Sequence, residues 1–202
     1  MHPQVTRSQV SPYGRWRRSA TLFAVGQWGF ALGLLTCVAI HPGFVLKANE
    51  GGVSDYGVHV ETTVPYYLAL ALAAGGAYLA ATHARDSTIL PGRLRALLLC
   101  YAALIVLTLA STIGYTVDTP QRDVHVGVGI ALSVFEVVAT LWMYRERRGD
   151  LGLVLVQLVG VIVAGLTIVG LLHLLFVSEI VTGASFAVLL FRTTRQLSTP
   201  TK

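Results

Sequence analysis

Between His41 and Pro65 (HPGFVLKANEGGVSDYGVHVETTVP) lie two histidines, three acids, one lysine and four glycines, in a chain otherwise dominated by Ala, Val and Leu. Imidazole and carboxylate are the usual acid/base pair of catalysis and the usual oxygen and nitrogen ligands of Zn²⁺. Threading the apolar runs through a membrane brings His41, His59, His125 and His173 to one side, together with Glu50, Asp55, Glu61, Asp118, Asp123 and Glu179. Two reactive readings follow: acid/base chemistry by Asp55, His59, His125 and His173, or a metal held by His41, His59, His125 and His173. Spacing singles out neither, because HExxH, HxxxH, a close cysteine pair and Gly-x-Ser-x-Gly are all absent. A polar network facing lipid headgroups is the favoured reading, and no cofactor is expected.

The elements that must position these residues are apolar. Hydrophobic residues make up 54% of the 202 and charged residues only 12%, with a mean hydropathy of +0.66. A soluble domain carries about a quarter charged residues, so the fold class is an all-α integral membrane protein. Apolar runs at Ser19 to Ile40, Tyr66 to His83, Ala96 to Val117, Val126 to Tyr144, Leu151 to Phe176 and Ser178 to Phe191 mostly approach the ~20 residues an α-helix needs to cross the hydrocarbon layer. The last two are separated only at Ser178-Glu179, so five spans compete with six.

Charge decides between them, since Lys and Arg of short loops concentrate on the cytoplasmic side. With six spans, thirteen of the fifteen basic residues fall on one side and only Lys47 and Arg122 on the other. Five spans would strand Arg192, Arg195 and Lys202. The expectation is therefore a bundle of six transmembrane helices with both termini cytoplasmic. A basic tail over 1–18 precedes a membrane domain over 19–192, whose outer loop is 41–65, and a second tail covers 193–202. The first run is longer than a secretory apolar core and lacks an A-x-A site, so it is retained as a helix. Thirteen Arg against two Lys, with abundant Ala, Val and Gly, reads as a GC-rich bacterial coding bias and favours the cell membrane over an organelle. Clustered juxtamembrane arginines explain the basic charge by topology, which excludes nucleic acid as a partner.

Within the spans, Ala69, Ala73, Ala77 and Ala81 with Gly75 and Gly76, and Gly29-x-x-x-Gly33, predict close helix packing. Trp16, Trp142, Tyr144, Tyr66, Tyr67 and Tyr115 fall near span ends, as an interfacial aromatic belt requires. Cys37 and Cys100 lie at opposite depths, which excludes a disulfide between them. Glu136 falls in mid-span, where an ionised side chain needs a partner, and Thr108, Ser111 and Gln157 are candidates at similar depth. Its reading is a hydrogen-bonded structural acid, with a proton or ion relay as the alternative.

Val53-Ser54-Asp55-Tyr56-Gly57 and Asp123-Val124-His125-Val126-Gly127 carry a family resemblance. Together they resemble the Frag/DRAM/Sfk group of six-span membrane proteins, which have an S-D-x-G element after helix one and a histidine before small residues at helix four. The resemblance implies a non-enzymatic role in membrane lipid organisation, trafficking or signalling, with Asp55 and His125 carried over and Ser54 and Gly57 shaping the loop. Chemistry gives the same residues a reason: Gly51-Gly52 frees the backbone, Ser54 and Asp55 can cap a turn, and Gly57 allows positive φ. Asp55 is expected to turn back and bond His125 as a lid lock, or else to meet a lipid headgroup with it. The functional expectation is a scaffold or regulator of membrane lipid or envelope. A hydrolase or transferase acting on lipid at the outer leaflet is the alternative, and a small transporter the third reading. Membrane lipids are the expected partners, with a second copy of the chain or another membrane protein left open.

Overall fold

The computed structural model describes residues 12–43, 45, 52–84, 89–113, 120–146 and 148–197. Six α-helices run through them: α1 (Pro12–Ile40), α2 (Val60–His83), α3 (Ile89–Thr112), α4 (Pro120–Arg145), α5 (Leu151–Ile168) and α6 (Leu175–Gln196), with one 3₁₀ turn at Val53–Gly57. All six are long and apolar enough to cross a membrane, and among the described residues there is no strand. In hydrocarbon every backbone N–H and C=O must be satisfied within the segment, which a helix achieves. The chain is a multi-pass membrane protein.

The helices outrun the apolar runs that announce them. α1 starts at Pro12 and α4 at Pro120, where a missing N–H costs nothing in the first turn. α2 starts at Val60 rather than Tyr66 and carries Pro65 inside it, so the end of the expected 41–65 loop is helix. The long apolar block does not break at Ser178-Glu179. It breaks earlier, where α5 ends at Ile168 and Gly170 adopts φ +79°, and α6 resumes at Leu175. Asp150 caps α5, its carboxylate accepting from the Gly152 N–H at 2.8 Å.

Sequence neighbours pack side by side, α2 most extensively on α1, and α6 closes back onto α1 and α4. The α1–α2 seam is made of small residues. A Cβ added to Gly26 would lie 2.8 Å from Gly76 Cα and 2.7 Å from the Leu72 carbonyl oxygen, and one added to Gly33 would lie 2.6 Å from Ala69 Cβ. Ala69, Ala73, Ala77, Ala80 and Ala81 are buried along this face, whereas Gly75 meets nothing. Larger side chains fill the rest: Phe186 stacks edge-on against Tyr101 at 5.2 Å and Phe135 at 5.9 Å. Trp16 and Tyr66, both in the first two turns of their helices, are only 2% exposed and pack within the core. At the end of the bundle away from the 3₁₀ turn, exposed pairs join Arg93 to Glu146 at 3.8 Å and Arg192 to Asp150 at 3.6 Å. Cys37 and Cys100 are both free thiols.

Candidate functional site

The 3₁₀ turn over Val53–Gly57 is fastened from two sides. Gly52 precedes it at φ +86°, and a Cβ there would lie 2.8 Å from Glu179 Oε2, so both the backbone and the space require glycine. The Val53 N–H then donates to Glu179 Oε2 at 2.7 Å, tying the turn to α6. On the other side the Thr62 hydroxyl donates to the Tyr56 carbonyl at 2.7 Å, and the Thr63 hydroxyl donates to the His59 carbonyl at 2.6 Å and the Gly57 carbonyl at 3.2 Å. Tyr56, fully buried, packs its ring 6.0 Å from Phe176. A Cβ on Gly57 would come within 2.6 Å of Tyr66 and Thr112, so the turn seats directly on α2 and α3.

Ser54 is buried and Asp55 half-buried in this turn. Burial pushes the Asp55 carboxyl up from 3.8 to about 6, and pushes the Tyr56 phenol up as well. Asp55 interacts electrostatically with Glu179, its nearest acid on α6. His125, buried on α4, has its Nδ1 at 2.9 Å from the Ser111 hydroxyl of α3. The Val53 N–H to Glu179 bond ties the turn to α6, beside the Thr62 and Thr63 hydroxyls that tie it to α2.

The remaining histidines go elsewhere. His41 and His59 meet at the α1–α2 junction with ring centroids 6.2 Å apart, and His41 Nε2 lies 3.5 Å from Glu61 Oε2. His173 is exposed in the segment between α5 and α6. His41, His59, His125 and His173 therefore occupy three separate places, and among the described residues no three His, Cys, Asp or Glu side chains group as a metal ion would need. Glu50, Asp118, Lys47 and Tyr115, also weighed from sequence, lie outside the described residues.

Glu136 is 4% exposed and anchors a polar chain across three helices. Gln157 Nε2 of α5 donates to Glu136 Oε2 at 3.2 Å, and the Ser185 hydroxyl of α6 donates to Gln157 Oε1 at 2.6 Å. Gln157 thus bridges the two helices, its amide nitrogen on the Glu136 side and its oxygen on the Ser185 side. Of the three partners expected for Glu136, Gln157 is the one used.

Both acids, Glu136 and Glu179, lie on the wall of one large cavity. It encloses about 760 Å³ between α1, α4 and α6, with α2 and α3 behind it and Val53 and Ser54 over one end. Its lining is mainly apolar and aromatic, including Phe23, Leu34, Leu70, Tyr101 and Phe176, with Gln27, Thr108, His125 and Ser133 as polar points. Lining residues of α1 run from Phe23 to Val38, a length of roughly 22 Å at the helical rise. Trp28 and Leu35 of α1 and Val188 of α6, 70%, 63% and 42% exposed, form an apolar rim. Gln27 lies beside Tyr101, its Nε2 shielded from solvent.

Sequence reasoning placed Glu179 among the outer acids without giving it a role, weighed Ser111 as a partner of Glu136 rather than of His125, and passed over Gln27 and Tyr101. The available signal was an isolated Glu or Gln inside an apolar run, the same signal that singled out Glu136. Compared with protein-family models, with curated proteins and with solved structures, the chain matches none.

Proposed function

We propose that this protein is a non-enzymatic, lipid-associated protein of the cell membrane that holds one amphiphilic molecule in the cavity between α1, α4 and α6 and acts as a scaffold or regulator of membrane lipid. The observation that carries this reading is the cavity itself. Ligand sites are typically ~300–1,000 Å³, mostly apolar, with a few polar groups that fix orientation, and this one has about 760 Å³ with that lining. Its long dimension suits an extended chain, and its apolar rim suits entry from lipid. The resemblance to Frag/DRAM/Sfk proteins and the one-sided distribution of Arg support the same role, with the 3₁₀ turn facing outward and the termini cytoplasmic.

Native mass spectrometry of the purified protein tests it. A single lipid adduct per chain is expected, and Ala184→Phe, which fills the cavity from α6, is expected to abolish it. An unchanged adduct in that variant overturns the reading.

A second reading rests on Ser111 and His125, because a hydroxyl 2.9 Å from an imidazole nitrogen is the arrangement of an activated nucleophile. The Thr108 carbonyl accepts from the same hydroxyl at 3.0 Å, which competes for its proton. Covalent labelling by a fluorophosphonate, lost in Ser111→Ala, would favour a lipid hydrolase.

A further inference from the structure

The cavity has a charge character that its apolar lining hides. Glu136 enters the wall from α4 and Glu179 from α6, and no Lys or Arg is among the described residues that line it. Each carboxylate is held by a neutral donor, the Gln157 amide for Glu136 and the Val53 N–H for Glu179. Neutral hydrogen bonds orient an acid but leave its charge uncompensated, and an uncompensated carboxylate at this depth is a strained state. The two acids are close enough to interact with each other, and Glu179 in turn with Asp55. Three acids thus descend from the 3₁₀ turn to mid-bundle, and repulsion along that line is relieved by proton uptake or by a positive charge between them. The walls are also suited to a cation, because the aromatic side chains Phe23, Trp28, Tyr66, Tyr101 and Phe176 line the same space.

Resting on the amphiphile reading above, we infer that the cavity selects a lipophilic cation, an apolar body carrying a quaternary or protonated nitrogen, or a phosphonium, whose charge sits between Glu136 and Glu179. A neutral or anionic amphiphile fills the same volume but leaves both acids without a counter-charge. The apolar part occupies the region of Leu34, Leu70 and Phe176, and the Gln157–Ser185 chain keeps Glu136 in place on the wall.

Tetraphenylphosphonium and tetraphenylborate are ions of the same shape and opposite charge, and they separate charge selection from hydrophobic filling. Equilibrium dialysis of the full chain in an uncharged maltoside detergent is expected to show saturable retention of one phosphonium per chain, at least about tenfold tighter than borate. Glu136→Gln and Glu179→Gln should each weaken phosphonium retention about tenfold or more and leave borate unchanged. Equal retention of the two ions by the unsubstituted protein overturns the inference, as does phosphonium retention unaffected by both substitutions. The first comparison needs no variant to fold. Ala184→Phe distinguishes the two failures: loss of the lipid adduct in that variant without phosphonium preference in the parent leaves the cavity reading intact and removes only the cation. Displacement of phosphonium by dodecyltrimethylammonium would identify a single-chain membrane amphiphile as the source of the cation, and lack of displacement a compact dissolved one.

Discussion

α1 meets its two neighbours in contrasting ways. Toward α2 it presents Gly26, Gly29 and Gly33, and the backbones come so close that Gly26 and Gly76 leave no room for a methyl group. Toward the cavity that it shares with α6 it presents Phe23, Gln27, Ala31, Leu34 and Val38. One helix thus makes a seam on one face and a wall on the other, its residues sorted by the 3.6-residue period. In lipid, apolar character alone does not draw helices together, because lipid tails are equally apolar, and shape decides where they touch. Small residues mark where the bundle is closed; bulky and isolated polar ones mark where it is open.

The largest effect should come from forcing the closed side open. Gly26→Leu places atoms into the Leu72 carbonyl and Gly76 backbone, which cannot move aside like a side-chain tip, and should cost about 3 kcal/mol or more. Ala31→Leu adds the same kind of bulk into the cavity and should change stability by no more than about 0.5 kcal/mol. Thermal unfolding in detergent compares the two, and similar losses would erase the contrast between seam and wall.

The roof of the open side comes next. Glu179→Ala removes the acceptor of the Val53 N–H and leaves that donor unpaired, at a cost of about 1–3 kcal/mol. Hydrogen exchange at the Val53 amide should accelerate in that variant while amides along the α1–α2 seam stay protected.

A smaller effect should appear with pH. Asp55 titrates at about 6 when folded against 3.8 for an unburied aspartate, so the folded state binds its proton more tightly. Its contribution to stability is therefore present at low pH and is lost as pH rises through the interval from about 4 to about 6. Midpoint temperatures should fall across that interval, and Asp55→Asn should flatten this part of the profile. A fall of the same size in the variant would show that the titrating group lies elsewhere. Smallest of all, Ser185→Ala removes one inter-helix bond to Gln157, expected to cost about 0.6 kcal/mol by thermal unfolding, in line with other side-chain hydrogen bonds in membranes.

The helices were legible because crossing lipid demands long apolar runs, and Glu136 was legible because an acid inside such a run stands out. The Gly29–Gly33 pair and the alanine stripe were legible for the same kind of reason, although Gly26, the tightest contact with Gly76, is not part of a four-residue repeat with them. The true ends were not. Val60 to Pro65 is polar or interrupted by proline, so hydropathy starts α2 late, and Val169 to Leu174 is apolar, so hydropathy hides a break marked only by Gly170. The role of Glu179 depends on Val53, far away in the chain, and no local pattern encodes a partner at that distance.

That distance bears on how the protein is made. Val53 and Glu179 are 126 residues apart, and at ~5–20 residues per second a ribosome needs about 6–25 s to pass from one to the other. The α1–α2 seam can form while the rest of the chain is still being synthesised, but the turn has no acceptor until the final helix has been inserted. For that interval the turn is held from the α2 side, by the Thr62 and Thr63 hydroxyls, and its tie to α6 forms last.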